Sequence, residues 1–228
     1  MQRYKLVRIF LLTTTLLINT PLFSQCFDLI PNKSADEDRI LKLLVVADSG
    51  YRVEVVNWRK EISRIISTMS MLLSVQKTGL SLEITRYAHW QRETESDKGF
   101  LSVLIELEKD FPRDKNQGVD IIMGLTSHGL QEAQACADSQ KGYIVLSNKT
   151  LVSPSDRPIL LVPVLIHELG HIFGCNDVDG KDSVMKRAIT LIKGQPTPVL
   201  YDQKSLEKIR VNKWRKFPSK VNWREYLN

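Results

Sequence analysis

The sequence predicts an α/β fold of α+β character, a mostly parallel, twisted sheet with one antiparallel edge strand, packed on helices and finished by a C-terminal helix. Three observations carry that expectation. Short apolar runs alternate with longer stretches of helical periodicity in the order strand, helix, strand, helix, strand, which implies crossover helices and parallel pairing. A fourth apolar run, Gly142 to Ser147, has no helix before it and is expected to run antiparallel at the edge. Finally, 228 residues with 43% hydrophobic and 25% charged side chains suffice for one substantial core, and no internal repeat or low-complexity tract divides them.

Residues 1–25 stand apart from that core. Arg3, Lys5 and Arg8 precede an apolar stretch from Ile9 to Leu22, and Phe23-Ser24-Gln25-Cys26 then offers a processing site. This pattern predicts a secretory signal peptide, since the apolar run is shorter than the roughly twenty residues that a membrane span needs. The protein is therefore expected to be exported: secreted, periplasmic or held at the cell surface. Either cleavage falls near Ser24 or Gln25, or Cys26 becomes a lipidated first residue that attaches the chain to a membrane. Without its first 25 residues the chain loses three positive charges and no negative ones, so the formal balance drops from +6 to +3. That balance gives no support for a nucleic-acid partner.

Residues 26–38 are polar and acid-rich and read as a linker, too short for an inhibitory prodomain. The domain proper is expected over residues 39–217, with 218–228 as a tail. Ile40 to Asp48 is an apolar run ending in Asp-Ser-Gly, the profile of a buried strand entering a turn. From Val53 to Val75, Val56, Ile62, Ile65, Ile66, Met69, Leu72 and Leu73 recur at helical spacing, predicting one long amphipathic helix. Leu80 to Tyr87 alternates like a strand, Phe100 to Phe111 reads as a helix stopped by Pro112, and Val119 to Gly124 is a third strand. Thr126 to Lys141 is polar and reads as a loop before the run ending at Ser147. Pro158 to Phe173 is the next helix, with Ser155-Asp156 as capping residues, and Asp202 to Trp214 is the last.

The chemistry lies in His167-Glu168-Leu169-Gly170-His171-Ile172-Phe173-Gly174-Cys175-Asn176-Asp177. On a helix, His167 and His171 are one turn apart on one face, so both imidazoles reach a single metal ion. Glu168 projects at an adjacent angle, close enough to act on a water without being a ligand. Gly174 suits a left-handed helix end, after which the reversed chain brings Asp177 to a third ligand position. Two neutral imidazoles, a carboxylate and an open position describe one catalytic zinc ion rather than a closed structural site.

The extended pattern resembles the metzincins, whose signature is H-E-x-x-H-x-x-G-x-x-H followed by a Met-turn. Met185, eight residues after Asp177, is the Met-turn residue by a spacing similar to that of matrixins, while Asp177 stands where most metzincins carry His, as in the snapalysin-like branch. The resemblance covers roughly residues 39–217 and implies a zincin fold, a zinc cofactor and a hydrolase: a metalloendopeptidase acting on a protein or peptide substrate as a monomer. It implies that Glu168 is the general base and that Met185 forms an apolar floor under the metal, where the plain alternative is core packing. A non-catalytic metzincin-fold binding or adhesion module is the competing expectation, and the presence of Glu168 argues against it.

Several other features carry expectations. As an edge strand, Tyr143, Ile144 and Val145 would bind an extended substrate by strand addition, with a pocket wall around Thr197 to Tyr201. Cys136 and Cys175 either form a disulfide, which export permits, or are two buried free thiols. Asp177 to Asp182 resembles a calcium loop, but its spacing departs from the EF-hand pattern and a Gly-centred turn is the better reading. His89 and His128 read as isolated surface or loop histidines. The basic C-terminal stretch, from Lys208 to Arg224, reads as a solvated helix face and tail.

Overall fold

A computed structural model describes residues 7–8, 37–92, 99–128, 134–148, 157–180, 182–187, 190–191 and 197–218. Cys26, most of the linker, Ser155-Asp156 and most of the tail lie outside the described residues. The elements run β1 (Val7–Arg8), β2 (Arg39–Ala47), α1 (Ser49–Glu54), α2 (Trp58–Val75), β3 (Leu80–His89), α3 (Phe100–Asp110), a 3-10 turn (Arg113–Lys115), β4 (Ile121–Thr126), β5 (Ala135–Asp138), β6 (Tyr143–Ser147), α4 (Arg157–Ile172), β7 (Thr190–Leu191) and α5 (Gln203–Asn212). Among the described residues, no helix is long and apolar enough to cross a membrane.

Five strands form one sheet in the order β3-β2-β4-β6-β5, and β1 pairs antiparallel with β7 apart from it. β2 is parallel to both β3 and β4, and β4 is parallel to β6. With a strand on each side and layers on both faces, β2 has no solvent-facing row after Lys42, which explains its near-continuous apolar run. Its side chains still alternate. Leu41, Leu43, Val45 and Ala47 enter the larger core with α2 and α4, whereas Leu44 and Val46 enter the smaller core with α3 and Trp90.

The structure changes three expectations. The helix expected over residues 53–75 is two helices. Asp48 caps α1 by accepting the Tyr51 N–H at 2.6 Å, the chain breaks after Glu54, and α2 begins only at Trp58, leaving Val53 and Val56 exposed. The run ending at Ser147 is not the edge strand and is not antiparallel to β4: β6 runs parallel to β4 and is flanked on its other side by β5. The antiparallel edge is β5, which lies inside the stretch read as a loop. Ala-Cys-Ala-Asp has no β-branched or aromatic residue to announce a strand, and pairing with β6 decides its conformation. The hairpin between them closes at Gly142, whose φ of +70° favours glycine and whose N–H donates to Asp138 O.

Candidate metal centre

α4 is buried on every side from Leu161 to Gly170, as expected of a helix whose apolar residues go all the way round. It packs between α2 and β5. Ile172 is its last residue, and the end is a Schellman motif. Gly174 takes φ +84°, its N–H donates to His171 O at 2.9 Å, and the Cys175 N–H donates to Gly170 O at 2.9 Å. Gly174 thus turns the chain back as its sequence position suggests, which brings Asp177 beside the two histidines.

His167 is fully buried and His171 partly so. Each Nδ1 lies 2.9 Å from a backbone carbonyl, Val184 O for His167 and Cys175 O for His171. Because a carbonyl only accepts, both Nδ1 atoms carry the proton, and in the neutral rings both Nε2 atoms present lone pairs. Those Nε2 atoms are 2.9 Å apart, and Asp177 Oδ1 is 3.4 Å from each. Three acceptors facing one point repel unless a cation lies among them. Tetrahedral ligands at about 2.0–2.1 Å from zinc stand roughly 3.3 Å apart, close to the edges of this triangle. Among the described residues this is the one group of three suited to a metal ion, and both its geometry and its donor set fit zinc.

Burial, reinforced by the neighbouring His171, pulls the His167 imidazole down to about 4, so the ring is neutral and ready to ligate. Burial also lowers the His171 value, but the hydrogen bond that the protonated ring would donate to Asp177, the Glu168 charge and the Cys175 carbonyl outweigh it and raise the net value. Glu168 is fully buried, and among the described residues neither carboxylate oxygen has a hydrogen-bond partner. Burial, with a further push from Asp177 against the pull of His171, raises its carboxyl to about 7. A buried carboxyl with no partner among the described residues costs stability.

Met185 is buried and lies against Gly170, the residue before His171. A Cβ on Gly170 would come 3.0 Å from Met185 Cε and from Tyr201 Cε1, and closer still to Met185 Sδ, so only glycine lets these side chains reach the helix. Tyr201 is buried and donates its hydroxyl to Ile166 O at 2.5 Å, so it props α4 rather than lining a pocket wall. Asn212 and Arg215 donate to Phe173 O and Ile172 O, capping carbonyls at the end of α4. Sequence reasoning named Tyr201 only as the end of a pocket wall and Arg215 only within a basic helix face, and it did not single out Asn212. Contacts across such separations leave no local trace, although Asp202 at the start of a helical pattern marks α5.

Other expectations meet the structure differently. Tyr143, Ile144 and Val145 are buried and hydrogen-bonded between β4 and β6's other neighbour, β5, so they offer no free edge to a substrate. Cys136 and Cys175 are free thiols: one lies in the smaller core against Phe100 O, the other in the larger core against Ser205 O, on opposite faces of the sheet. Their disulfide is therefore ruled out by topology. Val178 and Lys186 form an isolated β-bridge across the segment after Asp177. Parts of the basic C-terminal stretch act as staples, with Arg210 on Gln76 O and Lys77 O and Lys213 on Glu37 O.

No protein-family model matches the chain, and neither does any curated protein. Solved structures do resemble it. Archaemetzincin from Methanopyrus kandleri superposes with a TM-score of 0.56 at 18% identity, over 82% of this chain and 100% of that one. A chain described as part of a chaperone–substrate complex gives 0.53 at 9% identity, over 77% of this chain and 38% of its own length. The chain thus has a zincin-like α/β fold of the archaemetzincin type.

Proposed function

We propose that this protein is an exported zinc metalloendopeptidase, with matrixin-like spacing and a snapalysin-like Asp177 as third ligand. The observation that carries the reading is the convergence of His167 Nε2, His171 Nε2 and Asp177 Oδ1 beside a buried Glu168 that has no hydrogen-bond partner among the described residues. When bound to these three residues, zinc supplies a Lewis acid that polarises a carbonyl and makes water a better nucleophile at neutral pH.

The protein's own groups do the rest. Val184 O and Cys175 O hold the imidazoles in the tautomer that leaves Nε2 free to ligate. Glu168, buried beside the two histidines, would take a proton from the attacking water and deliver it to the leaving amine. His167 and Glu168 close the inner side against water, while His171 and Asp177 keep 12% and 11% of their side chains exposed, so substrate approaches from that side. The likeness to archaemetzincin supports this reading at the level of fold. Export rests on the composition of residues 1–25.

The test is metal analysis of the purified protein with cleavage of a denatured protein library, with and without chelator. One zinc per chain and chelator-sensitive cleavage are expected, and Glu168→Ala should retain zinc while losing hydrolysis. A native protein that takes up no zinc, or a Glu168→Ala variant that turns over like the parent, would refute the reading.

A further inference from the structure

His167 Nδ1 is oriented by Val184 O, and that carbonyl belongs to the turn that carries Met185. The turn is held from two directions. The Val184 N–H donates to Leu200 O at 2.8 Å, and the Met185 N–H donates to Ser183 Oγ at 3.1 Å. Ser183 in turn donates its hydroxyl to Asp202 Oδ2 at 2.7 Å. The direction of this chain is forced. A backbone N–H can only donate, so Ser183 Oγ must accept from Met185 and spend its one proton on the carboxylate.

Asp202 is also the cap of α5. Its Oδ1 accepts the Ser205 N–H at 3.0 Å, and its Oδ2 accepts the Ser205 hydroxyl at 2.7 Å. These hydrogen bonds hold its carboxyl below the usual carboxylate range against the opposing effect of burial, so it is an anion at neutral pH. Ser183 and Ser205 are 3% and 5% exposed, so water does not readily replace a lost partner.

We propose that Asp202, acting through Ser183, is a positioning residue for the metal centre. It holds the turn that presents the Val184 carbonyl to His167 Nδ1 and so aims His167 Nε2 at the ion. The proposal rests on the zinc reading above. An acceptor that orients a ligating histidine commonly controls metal affinity about 10- to 100-fold when removed. Here the orienting acceptor is a backbone carbonyl, and the residues to change are those that fix its peptide.

Two serines on one carboxylate oxygen make a clean comparison. Ser183→Ala and Ser205→Ala each delete one hydroxyl bonded to Asp202 Oδ2, but only Ser183 touches the Met185 turn. Zinc affinity would be read by competition with a chromophoric chelator, the ligand field from the absorption spectrum of the cobalt-substituted protein, and folding from thermal unfolding in chelator. Ser183→Ala is expected to weaken zinc binding about 10- to 100-fold and shift the cobalt spectrum, with Ser183→Thr restoring both. Ser205→Ala should stay within about twofold of the parent. Asp202→Asn keeps a good helix cap but can turn an N–H toward Ser183, and it should behave like Ser183→Ala.

Parent-like zinc affinity in both Ser183→Ala and Asp202→Asn would overturn the proposal, as would equal losses in Ser183→Ala and Ser205→Ala, which would mean only a loosened start of α5. A parent protein that binds no zinc is a different result and overturns the reading of the site itself.

Discussion

Replacing Gly170 with alanine tests whether α4 and the Met185 turn are packed as tightly as the structure describes. In an ordinary helix interior this change stabilises by up to about 1 kcal/mol, because alanine loses less backbone entropy on folding. At Gly170 the new methyl group would sit 3.0 Å from Met185 Cε and 3.0 Å from Tyr201 Cε1. Non-bonded carbons are comfortable at about 3.5–4.0 Å, so the neighbours must retreat by roughly half an ångström or more. Neither has an easy retreat. Met185 is fully buried, and the Tyr201 ring is pinned by its hydroxyl to Ile166 O on the same helix. Overpacking of this kind costs about 1–3 kcal/mol, and because Met185 Sδ lies closer still the upper half of that range applies, so about 1–2 kcal/mol of net loss remains after the propensity gain. Urea unfolding of the metal-free protein should read that loss directly, and thermal unfolding should show a fall in Tm of roughly 3–6 °C. The cause is separable. In a Met185→Ala background the methyl group has room on one side, so the penalty of Gly170→Ala should shrink by about 0.5–3 kcal/mol, the range of coupling between touching residues. A Gly170→Ala protein as stable as the parent would refute the packing argument.

Glu168 should reveal its burial through pH. Its carboxyl, raised from 4.5 to about 7, binds its proton more tightly in the native state than in the unfolded chain, so the stability of the metal-free protein falls as pH rises from about 4.5 through 7. The shift corresponds to about 3 kcal/mol. Gln at this position has no charge to bury, so denaturation in chelator should show Glu168→Gln gaining about 3 kcal/mol on the parent between pH 4.5 and 8. The opposite contribution of His167, whose depressed value makes stability rise from about pH 4 to 6.5, is common to both proteins and cancels in the difference. A difference that does not vary with pH would refute the buried charge. The cysteines give a chemical test: burial raises both thiols, Cys175 to about 11, so neither should alkylate in the native protein and both should alkylate in urea without reductant. A mass lower by two hydrogens that persists in urea would contradict two free thiols.

Much of the site is legible in the chain because it is local. His167, Glu168 and His171 lie within two turns of one helix, and the left-handed Gly174 that ends it is set by backbone geometry over a few residues. The parallel core strands β2 and β4 are legible for a related reason: strands buried on both faces must be apolar almost throughout. Reading fails where neighbours decide. β5 has a sequence suited to a loop and becomes the sheet edge only because β6 pairs with it, and that pairing in turn buries Tyr143, Ile144 and Val145 away from any substrate. The break between α1 and α2 escapes helical periodicity because Val56 fits the pattern yet faces solvent.

The sequence by itself determined the types and order of the three candidate ligand residues and the turn that returns the chain toward the helix, since these follow from residue chemistry and short-range geometry. Only the tertiary structure decided which carbonyls fix the imidazole tautomers, that Tyr201 and Met185 require a glycine at 170, that Cys136 and Cys175 lie on opposite faces of the sheet, and that Asp202 reaches the Met185 turn through Ser183. Each joins residues far apart in the chain, and hydrogen bonds and packing between distant segments impose no period or spacing that a single sequence can carry.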